Sequence, residues 1–177
     1  MPSSFLRILS SLSILVAAAS TVSAQCTLPD GSSASIINSA NSNLEWGVTS
    51  PSPSSAIVSS SFRGLSAQDW KITLNGDFAP FFVIRDISNQ DLVISSPNGQ
   101  DLELQSSQGL EGGGPVAQVW SIRCNTCNTG GAIGNGCVFE TIGPNQNRCA
   151  EIGDSPGAPI RIADCDGSEK QSFTVLA

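Results

Sequence analysis

Histidine and tyrosine are both missing from the 177 residues. Without histidine the chain cannot build a Ser-His-Asp or Cys-His catalytic centre, and a zinc site would lose its usual nitrogen ligand. Glycoside hydrolysis needs only two carboxylates, so acidic residues alone do not exclude it, but no carboxylate pair stands in a recognisable cleft motif. The sequence therefore predicts a binding protein rather than an enzyme, with neither metal nor cofactor.

Positive charge is scarce, with 8 Lys and Arg against 15 Asp and Glu and a net charge of −7. Such a surface repels phosphate backbones and anionic lipids, so we expect neither nucleic acid nor membrane as a partner. Long apolar runs are also missing after the N-terminal segment, and no later stretch is long enough to cross a bilayer. We expect a soluble product whose acidity points to no particular ligand.

The N-terminal segment is typical of a secretory signal peptide. Arg7 precedes an apolar run over residues 8–19, and Val22-Ser23-Ala24 offers small residues for cleavage. The alternatives are a buried N-terminal helix or a membrane anchor, but the run is short and no stop-transfer sequence follows. We therefore predict cleavage after Ala24 and secretion of residues 25–177 as a single extracellular domain.

Six cysteines follow the predicted cleavage point, and an even count in an exported chain predicts three disulfides. They are Cys26, Cys124, Cys127, Cys137, Cys149 and Cys165. The Cys-x-x-Cys spacing of Cys124 and Cys127 also suggests a redox or zinc pair. A glycine-rich loop at residues 129–132 follows it, however, where a thioredoxin-like motif needs a helix. Structural disulfides are the favoured interpretation.

The chain after residue 25 alternates short apolar and polar runs between turn residues, which predicts an all-β protein. A Gln-x-aromatic motif occurs three times, each followed by a strand-like segment and preceded by two others. The three motifs are Gln68-Asp69-Trp70, Gln118-Val119-Trp120 and Gln171-Ser172-Phe173. We predict three repeats of about four strands, over residues 33–75, 80–123 and 136–177, and about twelve strands in all.

With these motifs the sequence resembles the ricin B-chain lectin family, whose repeats carry a Cys-Leu-Asp-Val-like strand, a second cysteine and a closing Gln-x-Trp. The third repeat matches best, through Cys149-Ala150-Glu151-Ile152, Cys165 and Gln171-Ser172-Phe173. The resemblance spans about residues 33–175 and implies a β-trefoil, a six-stranded barrel capped by three hairpins. It also implies a Cys149–Cys165 disulfide.

The other four cysteines permit three pairings. We favour Cys137 bonded to one member of the Cys124/Cys127 pair and Cys26 bonded to the other, but the sequence does not choose between the members.

The resemblance also predicts a layered core, with one apolar residue from each repeat at each level. The closing aromatics should be packing residues. Trp46 lies two residues after Leu44, on the same face of the strand, so its side chain should also point into the core. The predicted layers are Leu44, Leu92 and Ala150; Val58, Leu104 and Ile162; and Trp70, Trp120 and Phe173.

Sugar sites in this family combine a carboxylate, a stacking aromatic ring and amides. The matching carboxylate positions hold Glu45, Val93 and Glu151, and the ring positions hold Ser59, Gln105 and Ala163. Gly157 should allow a tight turn beside the third site. No ring is present, so we expect weak carbohydrate binding, chiefly in the third repeat. The candidate residues are Glu151, Asp154, Asn147, Arg161, Gln171 and, in the first repeat, Glu45.

Two alternatives stay open. Glu45 and Glu151 are also typical of solvated acids on an outward strand face. A β-trefoil without sugar sites would bind an extracellular protein, as a protease inhibitor or an interaction factor does, through a protruding loop. The candidate loops are residues 50–55 and 108–115, and tolerated surface insertion is their plainer explanation.

Overall fold

A computed structural model describes residues 26–76, 80–108, 116–142 and 147–177. The predicted signal peptide lies outside the described residues, as does the loop 108–115 apart from Gln108. Strands dominate the described part, which contains no helix long and apolar enough to cross a membrane. In chain order the twelve strands are β1 Ser32–Asn38, β2 Leu44–Val48, β3 Ile57–Ser61, β4 Trp70–Leu74, β5 Phe81–Asp86, β6 Leu92–Ser95, β7 Glu103–Ser106, β8 Trp120–Arg123, β9 Ala132–Thr141, β10 Arg148–Glu151, β11 Arg161–Asp164 and β12 Phe173–Leu176.

Six of these strands close into a barrel. The antiparallel ladder runs β1–β4–β5–β8–β9–β12 and returns from β12 to β1. Three hairpins, β2–β3, β6–β7 and β10–β11, attach to the barrel through β1, β5 and β9. Closure removes the exposed sheet edges that invite aggregation. The predicted all-β class and twelve strands are confirmed.

The strands fall into three units, unit 1 (β1–β4), unit 2 (β5–β8) and unit 3 (β9–β12). A cyclic set of hydrogen bonds links the three units at the first residue of β3 and at the residues just before β7 and β11. Ile57 N–H donates to the Leu102 carbonyl at 2.9 Å, Leu102 N–H to Ile160 at 3.0 Å, and Ile160 N–H back to Ile57 at 2.9 Å. Each unit therefore satisfies a backbone group of the next, and these three residues occupy equivalent positions.

The closing aromatics are core residues, as predicted. Trp70, Trp120 and Phe173 are all fully buried. The indole N–H of Trp70 donates to the Trp46 carbonyl at 3.0 Å, and that of Trp120 donates to the Ile94 carbonyl at 3.2 Å. Each tryptophan thus both fills the interior and satisfies a buried carbonyl of the second strand in its own unit.

Trp46 lies inside the core, also as predicted, with 1% of its surface exposed. Its ring centroid lies 5.0 Å from that of Phe139 and 5.2 Å from that of Phe173, the latter pair edge-to-face. Edge-to-face rings at this separation attract each other beyond simple burial. Trp46 therefore joins the second strand of unit 1 to the barrel strands of unit 3.

Two of the predicted core layers are shifted. The carbonyls of Asn43, Asp91 and Asn147 accept from equivalent donors, so Leu44 and Leu92 match Arg148 rather than Ala150. Ala150 is buried, but it matches Trp46.

Likewise, three further cyclic hydrogen bonds make Ser59 the match of Leu104 and Ile162. The prediction of Val58 is wrong because buried Ser59 takes that place, with its hydroxyl donating to the Gly153 carbonyl at 3.2 Å.

Three disulfides cross-link the fold. Cys149 is bonded to Cys165 with Cα atoms 5.0 Å apart, which confirms the pairing implied by the family resemblance. Cys124 is bonded to Cys137, and Cys26 to Cys127, which is one of the two arrangements that the sequence favoured. Three disulfides fit a protein of an oxidising, extracellular environment.

Removing the Cys149–Cys165 disulfide by double substitution to alanine should lower the free energy of unfolding by about 3 kcal/mol. The bond closes a loop with a sequence separation of 16, and such a cross-link restricts the unfolded chain by roughly this amount. Urea unfolding without reductant measures the change. A loss below about 0.5 kcal/mol would contradict a stabilising role.

Candidate functional site

A surface pocket of about 310 Å³ opens on unit 3. It lies at the end of β10, in the turn that follows it and at the start of β11. Three of the residues predicted from the sequence, Glu151, Asp154 and Arg161, are brought together here. The complete lining is Glu151, Ile152, Gly153, Asp154, Ser155, Ala158, Pro159, Arg161 and Lys170.

Glu151 is the last residue of β10, and its carboxylate is hydrogen-bonded to the side chain of Gln171. The Gln171 side-chain amide donates to the Glu151 carboxylate at 3.4 Å and to the Asp164 carbonyl at 2.8 Å, while its oxygen accepts from the Asp166 N–H at 3.1 Å. Gln171 is 1% exposed and does not line the pocket. It is therefore a positioning residue for Glu151.

Two cations stand at the pocket rim, each beside an acid. Lys170 Nζ lies 2.8 Å from the Asp154 carboxylate, and this hydrogen bond raises the pKa of Lys170. Arg161 Nε lies 3.5 Å from Asp101, which belongs to unit 2. These pairs are exposed, so water and salt weaken them and the cations can turn towards a ligand. Neither Lys170, which directly precedes Gln171, nor Asp101 is among the site residues predicted from the sequence.

The remaining two candidates lie away from the pocket. Asn147 is exposed in the turn before β10, where its own carbonyl accepts from the Cys165 N–H at 3.0 Å. Glu45 belongs to unit 1, and its register places it differently from the prediction.

Glu45 does not match Glu151. The first strand of each unit pairs with the second at a single residue of the second strand, and these residues are Glu45, Val93 and Cys149. Glu45 therefore occupies the position of a disulfide cysteine. Its side chain is 1% exposed and accepts from Arg63 Nε at 2.8 Å and from the Arg63 backbone N–H at 3.2 Å. The interpretation of Glu45 as an outward carboxylate is wrong.

The position of Glu151 holds Gly47 in unit 1 and Ser95 in unit 2, two residues after Glu45 and Val93. A side chain at Gly47 has no room, because its Cβ would lie 2.1 Å from Ser60 Oγ. Of the three equivalent positions, all within the described residues, unit 3 alone carries a carboxylate.

Unit 1 has its own pocket of about 420 Å³ over Gly47, lined in part by Ser60, Arg63 and Asp69. Asp69 is ion-paired with Arg63. Partial burial raises the pKa of Asp69, and the neighbouring guanidinium opposes that rise. This pocket therefore presents a carboxylate already engaged by an internal cation, unlike Glu151.

The position of the stacking ring is also shifted by one residue in unit 1. Because Ser59 matches Leu104 and Ile162, the residue that matches Gln105 and Ala163 is Ser60. The positions hold serine, glutamine and alanine, so no unit places an aromatic ring there. The predicted departure from the family pattern stands with corrected numbering.

No protein-family model and no curated protein matches the sequence. Among solved structures, a mosquitocidal holotoxin is similar at a TM-score of 0.65 and 16% identity, over 84% of this chain and 17% of its own. The hemolytic lectin CEL-III is similar at 0.60 and 20%, over 85% of this chain and 34% of its own. The designed threefold-symmetric protein ThreeFoil is similar at 0.60 and 12%, over 81% and 97%.

These likenesses concern the fold. They are consistent with a β-trefoil, the fold that the resemblance to the ricin B-chain lectin family implied. The chain spans well under two thirds of the holotoxin and of CEL-III and nearly the whole of ThreeFoil.

Proposed function

We propose that this chain is a secreted, lectin-like carbohydrate-binding β-trefoil whose sugar site is the unit 3 pocket. The cyclic hydrogen bonds between units support the pseudo-threefold topology. The observation that carries the site is the placement of Glu151, a carboxylate on a strand end with a buried glutamine behind it. Glycans are the proposed partners, without a cofactor, nucleic acid or membrane.

The pocket offers the polar groups that a sugar needs. A carboxylate accepts hydrogen bonds from two hydroxyls at once, which is the role we give to Glu151. Arg161 and Lys170 donate to ring or hydroxyl oxygens, and Asp154 accepts a further hydroxyl. Ile152 and Pro159 supply the apolar wall in place of a ring. Without stacking we expect affinity near 1 mM, equivalent to about −4 kcal/mol.

Binding without catalysis is the other part of the proposal. The chain contains no histidine, and all six cysteines are in disulfides. No nucleophile is therefore paired with an imidazole base. Export to the extracellular space accords with these disulfides.

Glu151→Gln should weaken glycan binding by roughly 1.5–3 kcal/mol, about tenfold or more, because it removes charge-assisted hydrogen bonds while keeping the side-chain size. A broad glycan array on the mature protein identifies the ligand, and titration of that glycan measures the change. Glu169→Gln is the matched control, since it removes the same charge from an exposed residue outside the pocket lining.

Unchanged affinity in Glu151→Gln would place the sugar site elsewhere. If the array shows no ligand at all, the protein-binding alternative, a secreted protease inhibitor or interaction factor, replaces the lectin proposal.

A further inference from the structure

The turn between β2 and β3 carries an unusual density of hydroxyl groups. We call residues 49–55, with the sequence Thr-Ser-Pro-Ser-Pro-Ser-Ser, the hydroxyl loop. It contains no charged residue, and residues 49–54 are all exposed. Serine- and threonine-rich sequence with interspersed proline is the composition of O-glycosylated segments.

The hydroxyls of this loop bond to one another. Ser50 Oγ, Ser52 Oγ and Ser55 Oγ form a triangle with 2.9 Å on each side. Water replaces such surface hydrogen bonds at little cost, so an enzyme that takes one hydroxyl removes little from the fold.

The backbone at the base of the loop is fixed while its tip projects. Ser54 N–H donates to the Leu104 carbonyl at 2.7 Å, and Leu104 N–H donates to the Ser55 carbonyl at 2.9 Å. Pro51 and Pro53 restrict φ and remove backbone donors between the hydroxyls. The loop therefore presents its hydroxyls in a preset shape on the surface.

The equivalent turns of the other units differ, although both contain a Ser-Pro pair. In unit 2 Ser96 is only 7% exposed. In unit 3 Ser155 is exposed, but it follows the charged Asp154 and lines the candidate sugar pocket. A dense, uncharged and exposed set of hydroxyls is thus a feature of the unit 1 turn among these three.

We infer that the hydroxyl loop is a site of O-linked glycosylation, with Thr49, Ser50 and Ser52 as acceptors. In that reaction the hydroxyl oxygen forms a bond to the anomeric carbon of a sugar activated as a nucleotide or lipid phosphate. The bond from that carbon to the phosphate breaks, the phosphate leaves with its electron pair, and the hydroxyl proton passes to a base of the transferase. The inference rests on the proposed passage of the chain through a secretory pathway.

Mass spectrometry of protein secreted by a eukaryotic host tests this inference. The full chain is expressed with its own first 24 residues and, in parallel, residues 25–177 behind the host's leader. We expect peptides containing the hydroxyl loop to carry added hexose units. A Thr49→Ala, Ser50→Ala, Ser52→Ala triple variant should lose them, and Ser155→Ala, which removes the Ser-Pro hydroxyl of unit 3, should keep them.

The two expression routes separate two possible failures. If the host's leader delivers the chain to the medium and the loop peptide is unmodified, the inference is overturned whatever becomes of the native leader. Phosphate on the loop in place of hexose also overturns it. Failure of the native leader alone would contradict only the proposed secretion. Thermal unfolding of the triple variant, expected within a few degrees of wild type, shows that loss of sugar reflects lost acceptors and not misfolding.

Discussion

Trp120→Ala is expected to lower the free energy of unfolding by roughly 3–5 kcal/mol. The indole is fully buried in the barrel, so its removal leaves a cavity that the closed sheet cannot readily fill. The same change strips the Ile94 carbonyl of its 3.2 Å hydrogen bond. Chemical denaturation at neutral pH, with the disulfides intact, measures the loss through the shift in midpoint.

Trp120→Phe separates the two contributions. Unit 3 carries phenylalanine at this position, so the ring should fit while the N–H donor is lost. We expect a cost of roughly 1–3 kcal/mol from the unsatisfied carbonyl. A loss under about 1 kcal/mol in Trp120→Ala would show that the closing aromatic is not a packing residue.

Arg63→Met should also cost roughly 3–5 kcal/mol, although Arg63 lies at the surface. The substitution leaves the Glu45 carboxylate, which is 1% exposed, without its cation, and an uncompensated buried charge is strongly destabilising. Asp69 loses the same partner. Equilibrium unfolding of the variant, compared with wild type in the same buffer, gives the difference.

The chain offers its own control for this ion pair. Unit 2 carries Val93, Gln108 and Val119 where unit 1 carries Glu45, Arg63 and Asp69. The triple variant Glu45→Val, Arg63→Gln, Asp69→Val copies unit 2, and it should recover most of the stability because apolar replacement of a buried ion pair is often nearly neutral. If the triple variant is as unstable as Arg63→Met, the unpaired charge is not the cause.

The repeat and its consequences could be predicted from sequence. The three Gln-x-aromatic motifs predicted the number of units. Large apolar side chains such as that of Trp120 predicted the interior, because packing in the core is the main role of such a side chain in a chain with few aromatic residues. The family resemblance supplied the Cys149–Cys165 bond. In each case a residue type with one dominant physical role stood at the position.

The register within each unit could not be predicted in the same way. Side chains alternate between faces with a period of two, so sliding unit 1 by two residues against unit 3 keeps every inward position inward. The apolar pattern therefore could not separate Glu45 from Gly47 as the match of Glu151. The carboxylate position was misassigned for that reason.

A buried polar residue caused the one-residue error in β3. Ser59 is fully buried because Gly153 satisfies its hydroxyl in both directions, as acceptor at 3.2 Å and as donor at 3.0 Å. Because apolar residues are expected in the interior, the neighbouring Val58 was assigned to the core layer instead, although it is only half-buried. The compensating partner lies 94 residues away, in a different unit.

The disulfide pattern sets what a protease can detach. The Cys26–Cys127 bond has a sequence separation of 101, so one cut anywhere between these residues leaves a single covalent molecule. The Cys124–Cys137 and Cys149–Cys165 bonds protect two further stretches in the same sense. Between Cys137 and Cys149 no cross-link spans the chain. A cut there frees the segment that carries Glu151 from every covalent tie to the rest of the chain. Only noncovalent contacts, among them its ladders to β9 and β1 and the cyclic hydrogen bonds between units, would keep it in place.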